Sequence, residues 1–115
     1  MSDPPVDEDA LFEMVDQDPE FLRTLIDTFL RDCSSYLEAI RTAVEEERAE
    51  QLMQQAHGLK GAAANMQAED VQAAARRLEE LGRAEALDRA PPALDTLEEE
   101  VDRLVPALED LAEEG

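Results

Sequence analysis

Apolar residues recur every three or four positions through most of the chain, a spacing that predicts amphipathic helices. The clearest stripe follows Asp18-Pro19-Glu20, where the Asp18 side chain can cap free amide groups and Pro19 suits the first position of a helix. Its members are Leu22, Leu25, Ile26, Phe29, Leu30, Cys33, Tyr36, Leu37, Ile40 and Val44. Because this stripe is wide, we expect its helix to lie in the middle of a bundle.

Four further apolar groups predict one short helix and three long ones. They are Leu11, Phe12, Met14 and Val15 for a short first helix; Leu52, Ala56, Leu59, Ala63 and Met66 for a third; Val71, Ala74, Leu78 and Leu81 for a fourth that ends near Gly82; and Leu94, Leu97, Val101, Leu104, Leu108 and Leu111 for a last one. Pro91-Pro92 opens the last helix, and Pro106 can kink it. The break over residues 45–51 is inferred from lost periodicity alone.

The number and order of these segments predict an all-α fold. Short connections between four amphipathic helices favour an antiparallel four-helix bundle with a short additional N-terminal helix, which we expect to act as a lid. A chain of 115 residues is long enough for one hydrophobic core. We divide it into an extended N-terminal segment, residues 1–7, which includes Asp3, Pro4 and Pro5, and one bundle domain, residues 8–115.

The charge of the chain excludes several classes of partner. A formal net charge of −20 repels nucleic acid and anionic lipid headgroups alike. No apolar run approaches the roughly 20 residues of a membrane span, and no basic and apolar leader opens the sequence. We therefore expect a cytoplasmic monomer. Cys33 falls in the apolar stripe of the second helix, which favours a small buried hydrophobe over a reactive thiol.

Candidate chemistry is concentrated in the third predicted helix. The only histidine, His57, and the only lysine, Lys60, are three residues apart on one helix face, beside Gly58 and Gly61. Each glycine costs about 1 kcal/mol of helix preference relative to alanine, so removal of side-chain bulk beside His57 should have a use. A lone histidine is more often an ordinary surface residue, and paired glycines more often serve helix packing. The coincidence of all four favours a nucleophilic imidazole with a cation beside it. We expect His57 to be exposed, midway along its helix.

This window resembles the histidine-containing phosphotransfer (HPt) domain, whose motif is His-x-Leu-Lys-Gly followed by small residues. Here the motif reads His57-Gly58-Leu59-Lys60-Gly61-Ala62-Ala63-Ala64-Asn65. The resemblance extends to Asp18-Pro19-Glu20-Phe21-Leu22, to Phe29 and Ala56, and to Leu78-Glu79-Glu80-Leu81-Gly82-Arg83, so it covers nearly the whole chain. It implies a phosphotransfer intermediate, without kinase activity of its own, that passes phosphate between receiver domains of response regulators and a sensor or hybrid histidine kinase.

The resemblance also implies roles for single residues. His57 would be the phosphoacceptor, Lys60 the phosphate-neutralising group, and Gly61 the clearance for a receiver domain. Glu79 stands where such domains place a Gln or Glu near the histidine ring; it could instead be one more solvated acid. We expect no cofactor in this chain and Mg²⁺ in the partner receiver domain. The candidate docking residues, for which plain core packing is the other interpretation, are Leu11, Met14, Val15, Met53, Gly61 and Ala64.

The sequence departs from the family pattern at two turns. Gln67 replaces the usual glycine that closes the third helix, which puts the geometry of that turn in doubt, and Glu47-Arg48 replaces the usual Gly-Asp before that helix. The main alternative function is a docking module that binds receivers without relaying phosphate. A metal or haem bundle is disfavoured because one histidine supplies few ligands, and a kinase is disfavoured because no glycine-rich nucleotide loop is present.

Overall fold

The computed structural model describes residues 4–114, so the parts of the predicted segments that fall on residues 1–3, including Asp3, and on Gly115 lie outside the described residues. The elements are α1 (Glu8–Met14), α2 (Pro19–Glu45), α3 (Ala49–Asn65), α4 (Glu69–Arg83), a short 3₁₀ turn (Leu87–Arg89) and α5 (Ala90–Glu114). The predicted all-α fold with a short first helix is confirmed.

Helices α2 to α5 form the bundle. Each packs against the next along the chain, and α5 closes the ring against α2. The core is aliphatic, and its largest fully buried side chains include Leu22, Ile26, Ile40, Leu52, Leu59, Leu78, Leu97, Leu104, Leu108 and Leu111. Cys33 lies in this core as predicted, and burial raises the pKa of its thiol to about 11. No helix within residues 4–114 is long and apolar enough to cross a membrane.

Two of the helices begin with an aspartate cap. The Asp18 carboxylate accepts hydrogen bonds from the amides of Glu20 and Phe21 at 3.0 and 3.3 Å, which confirms the predicted start of α2. In the same way, the Asp7 carboxylate accepts the amide of Ala10 at 3.1 Å at the start of α1. The backbone amide of Asp7 donates to the carbonyl of Gln67 at 3.0 Å, which fixes the start of α1 against the end of α3.

The N-terminal segment is less separate from the bundle than its predicted boundary suggests. Val6 is buried in the core, although it precedes the first helix. The division into 1–7 and 8–115 stays a prediction.

Helices α1 to α4 end in turns of one kind. The residue after each C-cap takes a positive φ near 55°, namely Asp16, Glu47, Gln67 and Glu85, and after α1 the next residue, Gln17, does so as well. In each turn the next two amides bond back to the last turn of the helix, as in a Schellman motif; after α3, for example, the Gln67 amide donates to Ala64 and the Ala68 amide to Ala63. The turn that Gln67 put in doubt is therefore formed without glycine.

The predicted end of α4 near Gly82 is confirmed, since the helix ends at Arg83. Gly82 itself lies inside the helix and faces α3. A Cβ atom on Gly82 would lie 2.8 Å from the Met53 nitrogen and 2.9 Å from the Ala49 carbonyl oxygen, so glycine serves close backbone packing there. The last helix begins at Ala90, one residue before the predicted Pro91, and continues through Pro106; Pro106 does not end the helix, and the kink stays a prediction.

Candidate functional site

His57 lies at the middle of α3, on the border between its buried and exposed faces. Its neighbours Ala56 and Leu59 are fully buried, whereas the His57 side chain is 67% exposed. The prediction of an accessible histidine midway along a helix is confirmed. The rotation of about 100° per residue explains the position, because His57 points one step away from the core-facing Ala56.

Glu79 of α4 lies directly behind the histidine ring. Its side chain is only 4% exposed, and it is the only buried charged residue among the side chains that the structure describes. One carboxylate oxygen lies 2.7 Å from His57 Nδ1, and the other accepts a hydrogen bond of 2.6 Å from Lys60 Nζ. Of the two interpretations of Glu79 open from the sequence, the structure places it against the ring and not in solvent.

The charge of Glu79 is kept by its partners. The hydrogen bond from the Lys60 ammonium holds the pKa of the Glu79 carboxyl below its usual value; burial of the side chain opposes this effect, and the His57 contact adds to it. A buried carboxylate without partners would be costly. Glu79 is therefore an ionised acceptor at neutral pH.

An ionised Glu79 determines which ring nitrogen of His57 is available. A carboxylate only accepts hydrogen bonds, so Nδ1 must carry a proton for the 2.7 Å contact to be favourable. In a neutral imidazole the second nitrogen, Nε2, then has a free lone pair. Nε2 has no hydrogen-bond partner within residues 4–114 and belongs to a largely exposed ring. The site therefore presents one nucleophilic nitrogen to solvent.

The Lys60 side chain does not extend freely into solvent. It is 26% exposed, and its ammonium is held against the buried Glu79 carboxylate. Its hydrogen bond is thus with Glu79 of α4 and not with the His57 ring.

Arg83 completes the cluster, and sequence reasoning assigned it no role. Its Nη2 donates to Glu79 Oε2 at 3.2 Å, the same oxygen that contacts His57 Nδ1. The side chain is 63% exposed. The four-residue spacing between Glu79 and Arg83 on one predicted helix was the available signal.

The two glycines beside His57 have different environments. A Cβ on Gly61 would meet no atom within 4 Å, which leaves open space beside the histidine. A Cβ on Gly58 would lie 2.6 Å from Cε1 of the Tyr36 ring, so Gly58 makes room for a side chain of α2. Helix packing against α2 therefore accounts for Gly58, and only Gly61 leaves space beside His57.

The candidate docking residues divide in the same way. Leu11 and Val15 are buried in the core, so their assignment to a docking surface was wrong: these residues anchor α1 to the bundle. Met14, on the other side of α1, is 45% exposed. Of the α3 candidates, Gly61 is exposed, and Met53 and Ala64 are half-buried.

Comparisons with known proteins give one family. Residues 24–107 match the family model described as Hpt domain. The chain is similar to the crystal structure of histidine-containing phosphotransfer protein B (HptB) from Pseudomonas aeruginosa PAO1, with a TM-score of 0.92, 26% sequence identity and 99% of each chain covered. The comparison with curated proteins found no match.

Proposed function

The chain belongs to the Hpt domain family, and we propose that His57 is the residue on which this histidine phosphotransfer protein carries its phosphoryl group. The observation that carries the proposal is the contact between His57 Nδ1 and the buried Glu79 carboxylate at 2.7 Å. It fixes the ring and directs its lone pair outward at an exposed position. Orientation of a nucleophile of this kind is most of what phosphoryl transfer asks of a carrier.

The proposed step needs no acid or base that changes protonation. The Nε2 lone pair attacks the phosphorus of an aspartyl phosphate on a receiver domain, and a nitrogen–phosphorus bond forms. The bond between phosphorus and the aspartate oxygen breaks, and its electron pair leaves with the carboxylate of the receiver. His57 keeps its proton on Nδ1. Attack by the carboxylate of a second receiver reverses these events and regenerates the neutral ring.

Glu79 would stabilise the phosphorylated ring. After transfer the imidazole bears a proton on one nitrogen and phosphorus on the other, so it is formally cationic. The ionised carboxylate at Nδ1 compensates that positive charge. Lys60 would then act as the charge-compensating group in a specific sense: by pairing with Glu79, it reduces repulsion between the carboxylate and the incoming phosphoryl group.

The proposed receiver-docking surface is the exposed and half-buried part of α3 around His57. It comprises Met53, Gly61 and Ala64, with Met14 as the contribution of α1. We assign the Mg²⁺ of the reaction to the receiver domain, where it would offset charge on the transferring group. No residue of this chain is assigned to it.

The remaining parts of the proposal concern partners and setting. The donors and acceptors would be response-regulator receiver domains and a sensor or hybrid histidine kinase, and the chain itself would catalyse no ATP-dependent step. We propose a cytoplasmic monomer, since a net charge of −20 opposes close association of two copies.

Transfer of label from a receiver tests the acceptor. A receiver domain charged with radioactive acetyl phosphate is mixed with the protein and with its His57→Gln variant. We expect acid-labile, alkali-stable label on the parent and none on the variant, which should retain its helical circular dichroism because His57 is an exposed residue. Label on the variant would assign another acceptor. A parent that binds the receiver but takes no label would instead be a docking module.

A further inference from the structure

We propose that Arg83 is the cation that binds the phosphoryl group on His57, while Lys60 remains on Glu79. This inference rests on the proposed function, because it concerns the phosphorylated state of the same histidine. It divides two tasks between the two cations of the cluster: Lys60 holds the carboxylate in place, and Arg83 moves to the phosphate.

Arg83 is close enough for this contact. Arg83 Nη2 lies 3.2 Å and His57 Nδ1 lies 2.7 Å from the same oxygen, Glu79 Oε2. The distance between the two nitrogens therefore cannot exceed the sum of these two distances. The phosphoryl group on Nε2 would stand on the far side of a five-membered ring. A guanidinium on a long, 63% exposed side chain can swing across that span without unfolding any element.

Lys60 is the poorer candidate for release from Glu79. Its hydrogen bond is shorter, 2.6 Å against 3.2 Å, and its side chain is 26% exposed against 63% for Arg83. If Lys60 left, the buried carboxylate would lose the partner that contributes most to its ionised state. The departure of Arg83 would leave both carboxylate oxygens occupied, one by Lys60 and the other by His57.

The charges of the cluster favour the same division. Two permanent cations, Lys60 and Arg83, share one carboxylate, so one positive charge is in excess before phosphorylation. The phosphoryl group brings a charge of about −1.5 to −2 near neutral pH. The planar guanidinium can donate two parallel hydrogen bonds to two phosphoryl oxygens, a geometry that an ammonium cannot match. Arg83 neither gains nor loses a proton in this contact.

A titration of the phosphorylated histidine tests the contact directly. His57 is phosphorylated with phosphoramidate, a small reagent that requires no receiver, and the ³¹P signal is followed against pH. A cation in contact with the phosphoryl oxygens favours the doubly ionised form, so Arg83→Ala should raise the midpoint by about one pH unit. Arg83→Lys should restore part of the difference, and Lys60→Ala should give the smaller displacement.

The matched control is Arg77→Ala. Arg77 is an exposed arginine of the same helix, but it lines the cleft between α4 and the start of α5, with Asp88 and Arg89, and not the His57 site. Its replacement should leave the midpoint unchanged. A parent-like midpoint in Arg83→Ala, or a larger displacement in Lys60→Ala, would overturn the proposal. Failure of the proposed function is seen separately, as absence of receiver-derived label on the parent.

Discussion

The interiors of the helices and the turns that end them differ in where this chain places glycine. Three glycines lie inside helices, at positions 58, 61 and 82, whereas the four left-handed turns after α1 to α4 use aspartate, glutamate or glutamine. The usual distribution is the reverse, since glycine relieves strain at a positive φ and weakens a helix interior. The difference indicates that glycine is used here because it leaves space for neighbouring atoms, and not because of its backbone conformation.

The three interior glycines are themselves approached by different things. Gly82 faces the backbone of α3, Gly58 faces the ring of Tyr36, and Gly61 faces open space beside His57. Helix α3 is thus held tightly where it meets its neighbours and left clear where the proposed phosphoacceptor is exposed. Packing explains the first two glycines, and only the third needs an explanation from outside the chain.

Gly82→Ala should have the largest effect on stability of any glycine substitution in the bundle. The new Cβ would lie within 3 Å of backbone atoms of α3, which cannot move aside as a side chain can. Overpacking of this kind outweighs the gain in helix preference, and we expect a net loss of about 2 kcal/mol in the free energy of unfolding. Urea denaturation measures it.

The other two glycines are the controls for that result. Gly58→Ala should cost less, because the Tyr36 ring is half-buried and can shift. Gly61→Ala should gain up to about 1 kcal/mol. Equal losses of unfolding free energy at all three positions would contradict the assignment of different packing environments to the three glycines.

Gly61→Gln should separate access from stability. With nothing within 4 Å of its Cβ, the glutamine should fit without strain and leave the bundle as stable as the parent or slightly more so. Its bulk beside His57 should block the close approach of a receiver, and we expect phosphoryl transfer to fall more than tenfold. Stopped transfer assays and urea denaturation on the same preparation measure both quantities. Parent-like transfer would remove access as the reason for this glycine.

The fold could be predicted from the sequence because the leucines of its core recur at helical spacing. The spacing of Leu97, Leu104 and Leu108 is that of a helix with one buried face, and all three are fully buried. The start of α2 could be predicted equally well, because Asp18 and Pro19 act through local contacts. The left-handed turns after the helices could not be predicted, since Glu47 and Gln67 take a positive φ that their residue types do not favour.

The site could be predicted only as far as one helix determines it. The exposure of His57 follows from its position relative to the core residues of α3 alone. The contact between Gly58 and Tyr36 depends on how α2 packs against α3, which no local pattern specifies. The role of Arg83 depends on the burial of Glu79 against His57. Because Glu79 contacts the histidine, Arg83, four residues later on the same helix, also joins the His57 cluster.

Gln67→Gly tests the absence of glycine from the left-handed turns. We expect it to have a smaller effect than Gly82→Ala or Gly61→Gln. Gln67 has φ near 57° and makes the backbone hydrogen bonds that close α3, so a glycine can take its place without moving the chain. A residue with a Cβ pays about 1 kcal/mol for a left-handed conformation, and glycine avoids that cost but loses more entropy on folding. We expect a net gain of at most about 0.5 kcal/mol in the free energy of unfolding. Phosphoryl transfer should be unchanged, because the turn follows the end of α3 and His57 lies at the middle of that helix. Glu85→Gly, at the corresponding position after α4, is the matched variant and should behave alike. A loss of stability in both would mean that the side chains at these turns make contacts that outweigh their backbone strain, and that glycine is absent from the turns for that reason.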